Sequence, residues 1–145
     1  MRQFARVLSM LAAAASLAVM LAHTWEIRFV TLDPNNIVAS RVSWISPLTF
    51  GYGNIFSPLA VLLTVASLAS ALWGVILRTG LMAPVVLHSL SLVSMAAGRL
   101  VFPGGFTAVG LGAPVASLLA LVLSALVTFV PAGERQGAAR SDGRA

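Results

Sequence analysis

The sequence predicts an all-α membrane protein with four transmembrane helices and an ordered outer segment between the first two helices. Of the 145 residues, 59% are hydrophobic and 9% are charged, whereas a soluble domain carries about a quarter charged residues. Four apolar runs are each long enough to cross a bilayer, which takes about 20 residues. The remaining length leaves no room for a separate soluble domain.

The four spans belong to one predicted transmembrane domain of residues 1–131. They cover residues 4–23, 57–77, 82–102 and 113–130. The first run follows Arg2 and Arg6, as a signal peptide would. We interpret it as an uncleaved span, because Met20 stands where a small residue belongs for a cut after Ala22. The polar tail, 132–145, is expected to be disordered and cytoplasmic.

The outer segment, 24–56, holds the densest charge of the predicted domain: Glu26, Arg28, Asp33 and Arg41. Asp33 followed by a proline resembles a helix cap with proline at the first helical position. We therefore predict a short helix over residues 34–42. Ser57-Pro58 repeats this pattern and is predicted to begin the second span.

The arginines predict the orientation of the chain in the membrane, because cytoplasmic connections carry an excess of positive charge. Six arginines lie at the termini and between spans 2 and 3, and three lie on the opposite side. The six are Arg2, Arg6, Arg78, Arg135, Arg140 and Arg144; the three are Arg28, Arg41 and Arg99. We expect a multi-pass protein of the plasma membrane with both termini in the cytoplasm.

Small residues at every fourth position predict the surfaces through which the spans pack, since close approach holds transmembrane helices together. The predicted seams are Ala14, Ala18 and Ala22 in span 1; Ala66, Ser70 and Gly74 in span 2; Ser94 and Gly98, with Ser91 nearby, in span 3; and Ala116, Ala120 and Ser124 in span 4.

Span 3 is the most polar, and steps of three and four place His88, Ser91, Met95 and Arg99 on one face. Arg99, near the outer end, is predicted to pair with Glu26 or Asp33, to snorkel to the interface, or to take part in transport. His88 lies deeper. It is predicted to hydrogen-bond to a neighbouring helix, with a proton relay as the alternative.

The stretch Leu48-Thr49-Phe50-Gly51-Tyr52-Gly53-Asn54 resembles the selectivity filter of potassium channels over six residues, TFGYGN. That resemblance implies that Thr49 to Gly53 line an ion path with their carbonyl groups. Pro47 and Arg41 oppose it: the proline ends any helix before the stretch, and the arginine puts a cation in the pore helix. The other interpretation is a turn, in which Gly51 and Gly53 let the chain fold back and Tyr52 anchors at the interface.

Composition also limits the chemistry. There is no cysteine, and His23 and His88 lie far apart, so we expect neither a metal site nor another cofactor. All nine basic residues are arginines, but they are scattered and do not form a patch interleaved with aromatic residues. We therefore expect no binding of nucleic acid.

In overall character the chain resembles small, uncharacterised four-helix membrane proteins of high-GC actinobacteria. No catalytic constellation is evident. The expected function is therefore non-enzymatic: an accessory, assembly or scaffold subunit of a cell-envelope complex that presents residues 24–56. Its partners would be the lipid bilayer and either another membrane protein or further copies of the chain.

Two other functional classes stay open. One is a homo-oligomeric channel or small transporter that uses Thr49 to Gly53, or the face with His88 and Arg99. The other is a membrane enzyme acting on a lipid or envelope intermediate, with candidates among His23, Glu26, Arg28 and Asp33.

Overall fold

Four long helices dominate the structure, a computed structural model that describes residues 2–30, 37–46, 54–77, 81–101 and 105–129. The helices are α1 (Arg2–Leu21), α2 (Phe56–Ile76), α3 (Met82–Val101) and α4 (Gly112–Phe129). Each is long and apolar enough to cross a membrane. The predicted four-span fold is confirmed, and the ends of the spans shift by one or two residues.

The start of α2 differs from the predicted Ser57-Pro58 cap. The helix begins at Phe56. The side chain of Asn54 caps its first turn. Asn54 Oδ1 accepts the backbone N–H groups of Phe56 (3.2 Å) and Ser57 (3.3 Å). These N–H groups have no acceptor within the helix, so an asparagine just before it stabilises its start. Pro58 then falls at the third helical position, where its missing N–H group has no acceptor to lose.

The helices form a bundle of two closely packed pairs. α1 packs most extensively against α4, and α2 against α3. Further contacts between α3 and α4 and between α1 and α2 close the bundle. Successive helices therefore run in opposite directions, and the C-terminal end of α1 lies beside the N-terminal end of α4.

The bundle has a small and polar interior and a large, apolar exterior. Nearly as many polar as apolar side chains are buried among the described residues, and many of the buried apolar ones are alanines. The buried polar residues of the helices are Ser9, Ser16, Ser57, Thr64, Ser67, His88, Ser91, Ser94, Ser117 and Ser124. The exposed large apolar side chains include Leu11, Leu62, Val93, Leu100, Leu118 and Leu126. Such a surface is unsuited to water and suited to lipid, so the chain is a multi-pass membrane protein.

The seam between α1 and α4 repeats every seven residues. Ser9 Oγ lies 2.7 Å from Ser124 Oγ and donates to the carbonyl of Ala120 at 3.1 Å. One heptad further, Ser16 donates to the carbonyl of Ala113 (2.9 Å) and to the hydroxyl of Ser117 (3.4 Å). A seven-residue repeat keeps one face of each helix turned to the other along its length.

The predicted seam of span 1 is therefore wrong: Ala14, Ala18 and Ala22 are exposed, and the heptad stripe of Ser9 and Ser16 packs instead. In α2, Ala66 is exposed as well, although Gly74 is buried. The other two predicted seams agree better with the structure. Buried members of those seams are Ser91, Ser94, Gly98, Ala120 and Ser124.

Hydroxyl groups also join α2 to α3. Thr64 Oγ1 and Ser91 Oγ lie 2.9 Å apart, and both donate to the carbonyl of Ala60 (2.9 and 3.1 Å). Ser67 donates to the carbonyl of Pro84 at 3.3 Å. In hydrocarbon, an interhelical hydrogen bond of this kind stabilises a pair by about 0.6 kcal/mol.

A small antiparallel sheet lies at one end of the bundle, where a helix over residues 34–42 was predicted. It contains β1 (Trp25–Val30), β2 (Ile37–Val42) and β3 (Gly105–Phe106), in the order β2-β1-β3. The helix prediction is wrong for residues 37–42, because the two longer segments pair as strands over six residues each, and residues 34–36 lie outside the described residues. Their β-branched and aromatic residues favour that pairing.

Candidate functional site

The sheet brings charged residues together at one end of the bundle. Glu26 of β1 is directly opposite Arg41 of β2 and also opposite Gly105 of β3. Residues that are directly opposite each other in an antiparallel pair project from the same face of the sheet, so Glu26 and Arg41 lie on the same face. Arg41 is exposed, whereas its neighbour Val42 is buried in the apolar cluster of the bundle. One face of the sheet therefore packs on the helices, and the other presents charge to the surroundings.

Trp44 fixes the end of β2 to α1. Its ring is completely buried, and its indole Nε1–H donates to Thr24 Oγ1 at 3.1 Å. The hydroxyl of Thr24 in turn donates to the carbonyl of Val19 at 2.7 Å. The backbone N–H of Trp44 donates to the carbonyl of Met20 at 3.1 Å. These hydrogen bonds satisfy carbonyl groups in the last turn of α1, which receive no N–H group from within that helix.

The same threonine holds the beginning of α4. The carbonyl of Thr24 accepts the backbone N–H of Thr107 (3.0 Å) and the hydroxyl of Thr107 (3.1 Å). Thr107 Oγ1 then accepts the N–H of Gly110 at 3.1 Å. A Cβ atom on Gly110 would lie 2.5 Å from the Thr24 carbonyl oxygen, so only glycine fits this approach. We call Thr24, Trp44, Thr107 and Gly110 the brace.

Among the described residues, His88 is the one ionisable side chain that is buried within a span. It is 1% exposed, and its Nδ1 atom has no hydrogen-bond partner. The sequence predicts a hydrogen bond from His88 to a neighbouring helix; Nδ1 makes none, and for the ring as a whole this stays a prediction. Ser91 and Met95, which were predicted to share its face, are buried with it.

Arg99 was predicted to lie on the same face of α3 as His88, but in the structure it does not. It lies in the last turn of α3 and is exposed, while His88, Ser91 and Met95 point into the bundle. Its predicted pairing with Glu26 or Asp33 stays a prediction. Asp33 lies outside the described residues, and the residue opposite Glu26 in the sheet is Arg41.

The filter-like stretch also lies largely outside the described residues, which leave out 47–53 and so Thr49, Gly51, Tyr52 and Gly53. Its last residue, Asn54, is described. Asn54 is buried, caps α2 and donates through Nδ2 to the hydroxyl of Ser57 at 3.0 Å. The two interpretations of the stretch, an ion path or a turn, both stay predictions.

The residues considered for acid–base chemistry are spread along the first connection. His23 is exposed just after α1, and Glu26 is partly exposed in β1. Within the described ranges, no group of three or more histidine, aspartate or glutamate side chains is placed to hold a metal ion.

Sequence reasoning missed the brace and the heptad hydroxyl seams. Thr24 and Thr107 are 83 residues apart in the sequence, and no local sequence pattern predicts their contact. A signal for the seams was present, because Ser9 and Ser16 are seven residues apart, as are Ser117 and Ser124. A search for seven-residue spacing of hydroxyls would have found them.

No protein-family model matches the chain, and no curated protein and no solved structure is significantly similar to it.

Proposed function

We propose that the protein is a non-enzymatic subunit that organises or assembles a cell-envelope complex from within the plasma membrane. Its bundle would anchor it in lipid, with both termini in the cytoplasm. The charged face of its sheet would contact a larger partner outside the membrane. The observation that carries the proposal is the brace, which ties the sheet to α1 and α4 through one buried and one partly buried hydrogen bond.

A fixed sheet suits recognition. A surface that is ordered before binding loses little conformational entropy when a partner docks. Glu26 and Arg41 on one face offer charges of both signs, which favour one orientation of a partner over others. The packing of the helices also supports a role as a fixed scaffold. Hydrogen bonds between hydroxyl groups, together with small side chains, hold α1 against α4 and α2 against α3.

A channel or small transporter is the second candidate, and His88 is the observation that favours it. Ionisable side chains within a span are costly and often mark a path for ions or protons. His88 is buried within α3, and its Nδ1 atom has no hydrogen-bond partner. This candidate also includes the predicted filter at Thr49 to Gly53, and it requires several copies of the chain.

Purification at native expression level tests the proposal. The C-terminal tail carries a tag, the membrane is extracted in mild detergent, and the mass and composition of the recovered complex are measured. We expect a stoichiometric, larger membrane or envelope protein together with the 15.0 kDa chain. A homotetramer free of other proteins would contradict the proposal and favour the channel, and a lone monomer would contradict both.

Two arginine variants locate the contact. Arg41→Ala removes an exposed charge from β2, and Arg99→Ala removes an exposed charge from the neighbouring end of α3. We expect Arg41→Ala to lower the recovered partner several-fold while Arg99→Ala leaves it unchanged, with equal amounts of chain in the membrane. Equal recovery in both variants would contradict a contact through the sheet.

A further inference from the structure

The Nδ1 atom of His88 is an unexplained polar atom in the interior of the bundle. The side chain is 1% exposed, and Nδ1 has no hydrogen-bond partner. Buried polar atoms are nearly always paired, and an internal water molecule is the usual partner where protein supplies none. In a membrane the need is stronger, since lipid offers no hydrogen bonds.

The helix register places hydroxyl groups at the level of His88. Thr64 of α2 meets Ser91 of α3, and Ser67 of α2 reaches the carbonyl of Pro84 in α3. His88 lies between Pro84 and Ser91 on the buried side of α3, one turn from each. Its level is therefore that of Ser67, whose hydrogen bond to the Pro84 carbonyl is long at 3.3 Å.

The other helices contribute small side chains at this level. Leu68, the neighbour of Ser67, packs against a buried cluster of Ala12, Ala13 and Ala120 from α1 and α4. Small side chains at this level occupy less of the interior than larger ones would. A water molecule needs room together with two or more polar partners.

We propose that the bundle contains a hydrated site at His88. The ligand is one exchangeable water molecule, hydrogen-bonded to Nδ1 of His88 and to the hydroxyl of Ser67. This site is separate from the sheet and does not depend on the proposed role of the sheet. It places one exchangeable water molecule inside a bundle whose outer surface is apolar.

Transfer of magnetisation from water protons to histidine rings tests this directly. The full chain is labelled with ¹³C and ¹⁵N in histidine, reconstituted in bilayers of deuterated lipid, and measured by solid-state NMR. Its two histidines simplify the assignment, and His88→Phe identifies the second signal. His23 is exposed and serves as the positive control. We expect transfer to both rings; transfer to His23 with none to His88 would overturn the proposal.

A pair of neighbouring variants tests the role of Ser67. Ser67→Val removes the hydroxyl and fills the site, whereas Ala66→Val adds the same bulk on the exposed side of α2. We expect Ser67→Val to abolish the transfer to His88 and Ala66→Val to leave it intact. Unchanged transfer in a folded Ser67→Val protein would contradict the proposal. If that variant does not fold, Ser67→Ala replaces it. We expect Ser67→Ala to reduce the transfer from water to His88 at least two-fold. An undiminished transfer would contradict the proposal.

The thermal stability of His88→Phe gives an independent result. If water pairs with Nδ1, removing the nitrogen atoms breaks a hydrogen-bonded group, and the midpoint of unfolding falls. If Nδ1 is truly unpaired, an apolar ring of similar size relieves the cost of burial, and the midpoint rises. A higher midpoint would therefore overturn the proposal.

Discussion

At the scale of single residues, Thr24 connects the most parts of the molecule. Its hydroxyl donates to α1 and accepts from Trp44, while its carbonyl accepts two bonds from Thr107. Three chain segments thereby meet at one buried residue. Removing its partners one at a time should show how firmly the sheet is attached to the bundle.

Trp44→Phe should destabilise the protein by about 1 kcal/mol, because it keeps an aromatic ring in place but removes the hydrogen bond to Thr24. Trp73→Phe is the matched control, since Trp73 is 63% exposed on α2. Thermal unfolding in detergent, followed by circular dichroism at the helix band, measures both. Equal midpoints for the two variants would contradict a structural role for the indole N–H.

Gly110→Ala should lower stability by about 1–3 kcal/mol, the usual cost of overpacking. Its Cβ atom would lie 2.5 Å from the Thr24 carbonyl oxygen, and backbone cannot move aside easily. Gly112→Ala is the control, because its Cβ atom would meet Val19 at an ordinary 3.7 Å. The same unfolding measurement applies. A Gly110→Ala midpoint at or above that of Gly112→Ala would refute the close approach.

At the scale of elements, the pairing of helices depends on which stripe of each helix faces inward. In α1 two stripes of small residues compete: the heptad positions of Ser9 and Ser16, and the exposed Ala14 and Ala18. The first stripe packs on α4 because its hydroxyls find carbonyl and serine partners there. Alanines offer only close approach.

Ala13→Leu and Ala14→Leu distinguish the two stripes with the same change at adjacent positions. Ala13 is 1% exposed and faces α4, so leucine there should destabilise the bundle by about 1–3 kcal/mol. Ala14 faces lipid, and leucine should be tolerated. Thermal midpoints in detergent compare them. Comparable damage by Ala14→Leu would show that the alanine stripe also packs, against another copy or a partner.

The sequence predicted the four helices well, because length and hydropathy are sums over many residues. It did not predict the strands, although residues 25–30 and 37–42 are close in the sequence. The local pattern Asp33-Pro34 pointed instead to a helix. The alternation in Trp25-Glu26-Ile27-Arg28 was the available signal for a strand.

At the scale of the whole molecule, the distribution of side chains is the reverse of a soluble protein's. Hydroxyls, alanines and a histidine lie inside, and large aliphatic side chains lie outside. Of the residues at the candidate site, Glu26 and His88 were proposed from the sequence, whereas Arg41 was noted only as one of the charges of the outer segment. Their neighbours were not proposed, because the sheet register and the brace depend on contacts across the chain.

We propose that the bundle crosses the membrane with the sheet on its outer side, and cysteine labelling tests this orientation. The chain lacks cysteine, so single cysteines report position without interference. Ala39→Cys lies exposed on β2, and Gln3→Cys lies exposed at the start of α1. A membrane-impermeant maleimide should label Ala39→Cys in intact cells and Gln3→Cys only after permeabilisation. The reverse pattern would contradict the outward sheet, and labelling of both from one side would contradict a membrane crossing by α1.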